Sequence, residues 1–137
     1  MPDKKAFIDT NILIYAYSKT DDNKRKKAQD TIDKYDSVIS IQVINEFSSN
    51  CLKKLRKTHD EVISAIREIT FNFPITQVTV SIVVKAIHLQ KRYKFNYYDC
   101  IMLASALENN CEYILSEDMQ HGQIIEDKLT ILNPYNL

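Results

Sequence analysis

The sequence predicts an α/β fold, a single domain over residues 1–137 with a parallel central sheet flanked by helices, and three observations carry that reading. Short apolar runs alternate with amphipathic segments, and strands separated by helices imply parallel pairing with helices on the faces of the sheet. No internal repeat, low-complexity tract or linker interrupts the alternation. At 137 residues the chain suits one core, large enough to bury roughly 70% of the surface its unfolded form exposes.

Each element follows in order. "KAFI" reads as a buried strand and "NILIYAYS" as the apolar helix after it. "DDNKRKKAQDTIDKY" reads as a charged surface helix starting near Asp21 or Asp22, with Lys24, Arg25, Lys26 and Lys27 on an exposed face. "SVISI" is the second strand, leading into "QVINEFSSNCLKKLRK", where Val43, Ile44, Phe47, Cys51 and Leu55 share a helix face. Thr58 and Glu61 have capping-box spacing at the head of "THDEVISAIREITFNF". Pro74 breaks that helix, "ITQVTV" predicts a strand and "SIVVKAIHLQKRYKF" another helix. "NYYDCIMLASALEN" is an almost uniformly apolar helix, and "EYILS" and "LTILN" are the last strands.

Composition removes several function classes. Formal net charge is zero, so no global field holds a polyanion and nucleic-acid binding must rest on local geometry. Cys51, Cys100 and Cys111 are an odd count without CxxC spacing, which argues against a disulfide framework and a thiolate metal site and for a reducing cytoplasm. No apolar run is long enough to span a bilayer, and "MPDKKAF" lacks a signal-peptide core, so a soluble cytoplasmic protein with no membrane partner is expected. With Gly122 the sole glycine, phosphate-cradling glycine loops are excluded. His59, His88 and His121 form no pair at zinc-ligand spacing, and His121 reads as a turn residue. Neither GxSxG nor a persuasive Cys–His pair is present. Acid chemistry remains.

In open parallel sheets, function gathers beyond the carboxyl ends of the strands. Asp9 closes the first strand and Asp118 follows "EYILS". Glu46 lies in the early turns of the helix leaving the second strand, and Asp99 begins the helix feeding "EYILS", so its start falls at that strand's carboxyl end. Each acid has a plain structural explanation. Asp9 can cap a helix; Asp99, three residues after Asn96, has capping-box spacing and a first-turn position worth roughly 0.3–1 kcal/mol. Glu46 falls just outside an apolar face, and Asp118 stands in the turn-like "SEDMQHG". Together they repel and raise each other's pKa unless a cation neutralises them. Hard oxygen ligands select Mg²⁺ or Mn²⁺.

"FIDTNILIYAY", "QVINEF", "YYDCIMLASALENN" and "YILSEDMQHG", in this order and spacing, resemble the acidic blocks of the PIN-domain ribonucleases, particularly the small VapC-type toxins of toxin–antitoxin pairs. The ending "LTILNPY" resembles their Asn-Pro-aromatic finish, so the resemblance covers essentially the whole chain. It implies a compact parallel α/β/α sandwich and a metal-binding quartet of Asp9, Glu46, Asp99 and Asp118, oriented by Thr10, Asn11 and Ser116. The choice of Asp118 over Glu117 rests on the resemblance, because strand parity does not separate them. The implied activity is metal-dependent hydrolysis of RNA phosphodiester bonds, with Mg²⁺ or Mn²⁺ as cofactor, an antitoxin partner and a homodimer. Asp9 and Asp99 are the expected direct ligands, with Glu46 and Asp118 binding directly or through water, or accepting a proton from it. RNA contacts are expected from a basic rim of Lys53, Lys54, Arg56 and Lys57 with Lys91, Arg92 and Lys94. Tyr93, Phe95, Tyr97 and Tyr98 could stack bases or equally serve the core. Two other classes compete: a receiver-type phosphoacceptor, which expects an adjacent acidic pair where this chain has Asp-Thr-Asn, and a PIN-like scaffold that binds without cutting, which would be expected to lose acids that this chain retains.

Overall fold

Strand β1 (Lys5–Ile8) lies inside the sheet of a computed structural model that describes residues 3–136; Met1 and Pro2, part of the N-terminal segment read above, and Leu137 lie outside the described residues. Ala6, Phe7 and Ile8 are fully buried, as a strand covered on both faces requires. β2 (Asp36–Ser40) and β4 (Tyr113–Leu115) flank β1 in parallel, with Phe7 between Val38 and Ile114. β3 (Ile75–Thr76) pairs beyond β2 and β6 (Leu129–Leu132) beyond β4, also in parallel. β5 (Ile124–Ile125) closes the far edge, giving the order β3-β2-β1-β4-β6-β5.

The connecting helices are α1 (Thr10–Tyr17), α2 (Asp22–Asp33), α3 (Ile41–Lys53), α4 (His59–Asn72), α5 (Val80–Tyr93) and α6 (Tyr97–Glu108). Their starts are set by local chemistry. Asp21 caps α2, and Thr58 and Glu61 exchange both bonds of a capping box at 3.1 and 2.9 Å. α6 is buried continuously from Cys100 to Ala106, packed along α5 and against β1 and β4. Its uniform apolar sequence is that of a helix with no solvent face over those turns.

Two expectations are corrected. "ITQVTV" yields only the two residues of β3, because Thr79 turns out of the ladder to cap α5, its hydroxyl accepting the Ile82 N–H at 3.2 Å. Leu55 does not continue the apolar face of α3: the helix ends at Lys53, Arg56 takes a positive φ of 51°, and Leu55 is left 46% exposed. Val43, Phe47 and Cys51 do share the buried face, with Ile44 at its margin. The central sheet is parallel as expected, and a short edge strand the sequence reading did not include, β5, runs antiparallel to β6 through a turn in which Glu126 and Asp127 both have positive φ. Asp127 is a residue that tolerates this conformation, but Glu126 is not, so the turn carries only half of its usual sequence signal.

Because α6 carries so much of the core, Leu103→Ala should lower the unfolding free energy by about 2–5 kcal/mol. Ile63→Ala, on the exposed side of α4, should change it by about 1 kcal/mol or less. Urea denaturation of the two variants beside the wild type makes the comparison.

Candidate active site

The parallel register of β1 and β4 sets Ile8 opposite Leu115, so the next residues out, Asp9 and Ser116, meet at the carboxyl edge. The backbone there turns from β1 into α1, and Asp9 is the helix N-cap. Its Oδ1 accepts the Thr10 N–H at 2.7 Å, and its Oδ2 accepts the Ser116 hydroxyl at 2.8 Å. The carboxylate is only 6% exposed. Capping and membership of an acidic site are therefore not alternatives for Asp9.

The other three acids arrive from separate elements. Asp118 is exposed two residues beyond Ser116, and the Asn11 amide donates to its Oδ2 at 2.6 Å. Asp99 lies in the first turn of α6. There Asn96 Oδ1 accepts the Asp99 N–H at 2.9 Å, while the Asn96 amide donates back to Asp99 Oδ2 at 2.7 Å. Glu46 is half-buried on α3, where the Gln42 amide one turn earlier donates to Oε2 at 3.2 Å. Asn96 and Gln42 were not among the expected orienting residues, although the i,i+4 spacing of Gln42 and Glu46 is a sequence signal for such a bond. Thr10 touches Asp9 through its backbone; its buried hydroxyl has no hydrogen-bond partner among the described residues.

Electrostatics couple the four. Burial pushes the Asp9 carboxyl up to about 7, with the charges of Asp99 and Asp118 adding to the effect and the bonds from Ser116 and Thr10 opposing it. Asp99 is also raised, by burial and then by the Asp118 charge. Glu46 is raised by burial, with a contribution from Asp99. None of the described ion pairs involves any of these acids. Among the described residues no three His, Cys, Asp or Glu side chains form a group that encloses one ion. An all-oxygen donor set in which few side chains ligate directly suits a hard divalent cation that keeps part of its water shell.

The neighbouring acids Glu117 and Asp118 are separated by their partners. Glu117 accepts from the Tyr15 hydroxyl and from Lys24 Nζ, both at 3.1 Å, whereas Asp118 faces Asn11 and the other acids. Lys24 is thus not simply one of a run of exposed bases. No short-range pattern signals this pair, whose members are 93 residues apart.

The expected basic rim is divided. Lys53, Lys54 and Arg56 are exposed at and beyond the end of α3, with Lys57 half-buried; Lys91 and Lys94 are exposed near the end of α5. Arg92 instead pairs with Glu126. Tyr93 stacks on Phe95, and its hydroxyl accepts the Glu126 N–H; Tyr97 packs against the core. Of the four aromatic residues, Tyr98 alone is exposed, at 58%. His121 occupies a turn, where Nδ1 accepts the Asn133 N–H.

The raised pKa of Asp9 fixes a sign. Between its unfolded value of 3.8 and about 7 the folded chain holds a proton that the unfolded chain has lost. Stability of the metal-free protein should therefore fall as pH rises through that window, by an amount on the order of 4 kcal/mol for Asp9. Thermal melts in EDTA should be higher at pH 5.5 than at pH 8, and Asp9→Asn should remove most of the difference.

The PIN domain family model matches residues 6–125, a span containing Asp9, Glu46, Asp99 and Asp118. No curated protein matches the chain in sequence. Among solved structures, it is similar to a toxin–antitoxin complex from Klebsiella pneumoniae, with a TM-score of 0.73 and 23% identity over 95% of this chain and 98% of that one. It is also similar to VapC20 of Mycobacterium tuberculosis, a sarcin–ricin-loop-cleaving toxin, with a TM-score of 0.69 and 15% identity over 82% and 89%. FitAcB from Neisseria gonorrhoeae has a TM-score of 0.69 and 14% identity over 96% and 99%. At such identities these structures speak to the fold, and it is the family match, running from β1 to β5, that settles membership: the chain belongs to the PIN domain family.

Proposed function

We propose that this PIN domain is a divalent-metal-dependent endoribonuclease that hydrolyses RNA phosphodiester bonds as the toxin of a toxin–antitoxin pair. The observation that carries the reading is the convergence of Asp9, Glu46, Asp99 and Asp118, coupled in charge and without a basic partner among the described ion pairs. Such a group is built to receive a cation. Asp9 and Asp99 would hold Mg²⁺ or Mn²⁺ directly, with Glu46 and Asp118 joining directly or through water. When bound, the ion lowers the pKa of a water and stabilises charge on the phosphoryl and leaving oxygens.

The chain's own residues do the rest. Ser116, Asn96, Asn11 and Gln42 orient the four carboxylates with neutral donors, which fixes geometry without cancelling charge. Glu46 or Asp118 takes the proton released by the attacking water. Lys53, Lys54, Arg56, Lys91 and Lys94 supply phosphate contacts, Arg92 joins them by exchanging Glu126 for phosphate, and Tyr98 offers a ring for an unpaired base.

The toxin–antitoxin context of the similar structures supports an antitoxin partner. The α5 face of Val80, Val84 and Ile87, exposed at helical spacing, supports homodimerisation. Three buried free cysteines suit a reducing cytoplasm. Among the described residues no helix is long and apolar enough to cross a membrane. Family membership sets the receiver-type reading aside, and retention of all four acids favours cleavage over binding alone.

Cleavage of a mixed RNA pool should require Mg²⁺ or Mn²⁺ and stop in EDTA. Asp9→Asn and Asp99→Asn should each lose at least roughly tenfold in rate, with circular dichroism unchanged. Full cleavage by both variants at limiting Mg²⁺ would return the two residues to helix capping alone. Saturating Mg²⁺ should also raise the melting temperature of the wild type and leave the Asp9→Asn/Asp99→Asn double variant unmoved.

A further inference from the structure

Ser116, Glu117 and Asp118 leave β4 as three consecutive residues, and each is tied to a different residue at the start of α1 or beyond. Ser116 bonds Asp9, Glu117 bonds Tyr15, and Asp118 bonds Asn11. Only the middle tie reaches a third element. Lys24 of α2 donates to Glu117 Oε2 at 3.1 Å and to the Tyr15 hydroxyl at 3.2 Å. The same ammonium stands 4.3 Å from the centre of the Tyr15 ring and 5.1 Å from that of Tyr135. Tyr135, from the 3₁₀ turn Pro134–Asn136, meets Tyr15 edge to face and donates its hydroxyl to the Lys24 carbonyl.

This is more than a surface ion pair of the kind that contributes about 0–1 kcal/mol. The Lys24 ammonium has two hydrogen-bond acceptors and two ring faces, and both Glu117 oxygens are occupied. Lys24 and Glu117 are 39% and 28% exposed in their side chains, so solvent competes only in part. The tie also has an electrostatic consequence. It neutralises the acid immediately beside Asp118, and so keeps a further negative charge from being left unpaired next to the quartet.

We infer that Lys24 is a positioning residue: clamped to Glu117 between Tyr15 and Tyr135, it fixes the loop leaving β4 and thereby sets Asp118 against the other acids. The inference rests on the nuclease reading only for its effect on turnover, since the clamp itself has a readout that needs no RNA. The Met119 amide, bonded to Ser116 Oγ at 3.4 Å, reports on the loop.

Hydrogen exchange followed by NMR on the full chain tests it. Lys24→Met and Glu117→Ala, which break the tie from its two ends, should each speed exchange at Met119 about tenfold, with Leu103 and Ile114 unchanged. Lys24→Arg should restore slow exchange, because a guanidinium can donate to both acceptors and lie against the rings. On RNA, Lys24→Met should lower kcat about tenfold with KM within about twofold, the pattern of a misplaced catalytic group rather than of lost substrate binding. Unchanged exchange at Met119 in both variants overturns the inference, as does equal acceleration at Leu103, which would mean general destabilisation. A wild type that cuts no RNA would refute the proposed function, while the exchange result would still decide the clamp.

Discussion

The pairing of β1 with β4 is the constraint on which the site depends. It aligns Ile8 with Leu115, and the Asp9 N–H then donates to the Leu115 carbonyl at 3.0 Å, one step beyond the ladder. From that single register follows the contact of Asp9 with Ser116 and, two residues further along each segment, the contact of Asn11 in α1 with Asp118 in the loop after β4. A slip of one residue would turn Asp9 to the other face and bury the wrong side chain in the core. The apolar residues of the two strands forbid that slip, since Phe7, Ile8, Ile114 and Leu115 all have fully buried positions to fill. Hydrophobic packing therefore sets the geometry of a polar site.

The same logic extends to α6. Seven successive residues, Cys100 to Ala106, are buried, so this helix has almost no freedom to rotate or slide without opening the core. Asp99 stands one residue before that buried stretch and inherits its rigidity. The Asn96 cap supplies the final increment of order, holding both the helix end and the carboxylate with one side chain. Glu46 is held by a single half-buried amide one turn earlier on its own helix. The four acids thus grade from a carboxylate locked between two strands to one held within a single half-buried helical turn.

Most of this was legible in the sequence where the signal is local. "KAFI" gives β1 to the residue, the Thr58–Glu61 box marks α4, and the apolar run after Asp99 marks a helix without a wet face. The convergence of the four acids was legible too, because helix and strand alternation fixes which ends share an edge. What escaped depends on distant partners or on backbone torsions. The β5 turn uses Glu126 and Asp127 at positive φ, which composition does not announce. Thr79 and Val80 have strand-like character yet serve as cap and first residue of α5, since a threonine hydroxyl can satisfy a helix end as well as a ladder position. Glu117 and Asp118 are chemically alike and adjacent, so only Lys24 and Asn11, far away in sequence, tell them apart.

That separation bears on a tension within the fold. A buried, charge-coupled acid such as Asp9 opposes folding at neutral pH, and each further unpaired carboxylate nearby makes the opposition stronger. The proposed metal site would nevertheless need its acids free of basic partners, because an arginine or lysine bound there would occupy the oxygens a cation requires. The chain meets both demands by division of labour along three residues: Ser116 supplies a neutral donor to the buried acid, Glu117 is neutralised by Lys24, and Asp118 has no basic partner among the described ion pairs and an amide to orient it. On the proposed nuclease reading, the burial that makes Asp9 costly would also make it responsive, since a cation replacing its proton would relieve the repulsion and couple metal uptake to the stability of β1, β4 and everything packed upon them.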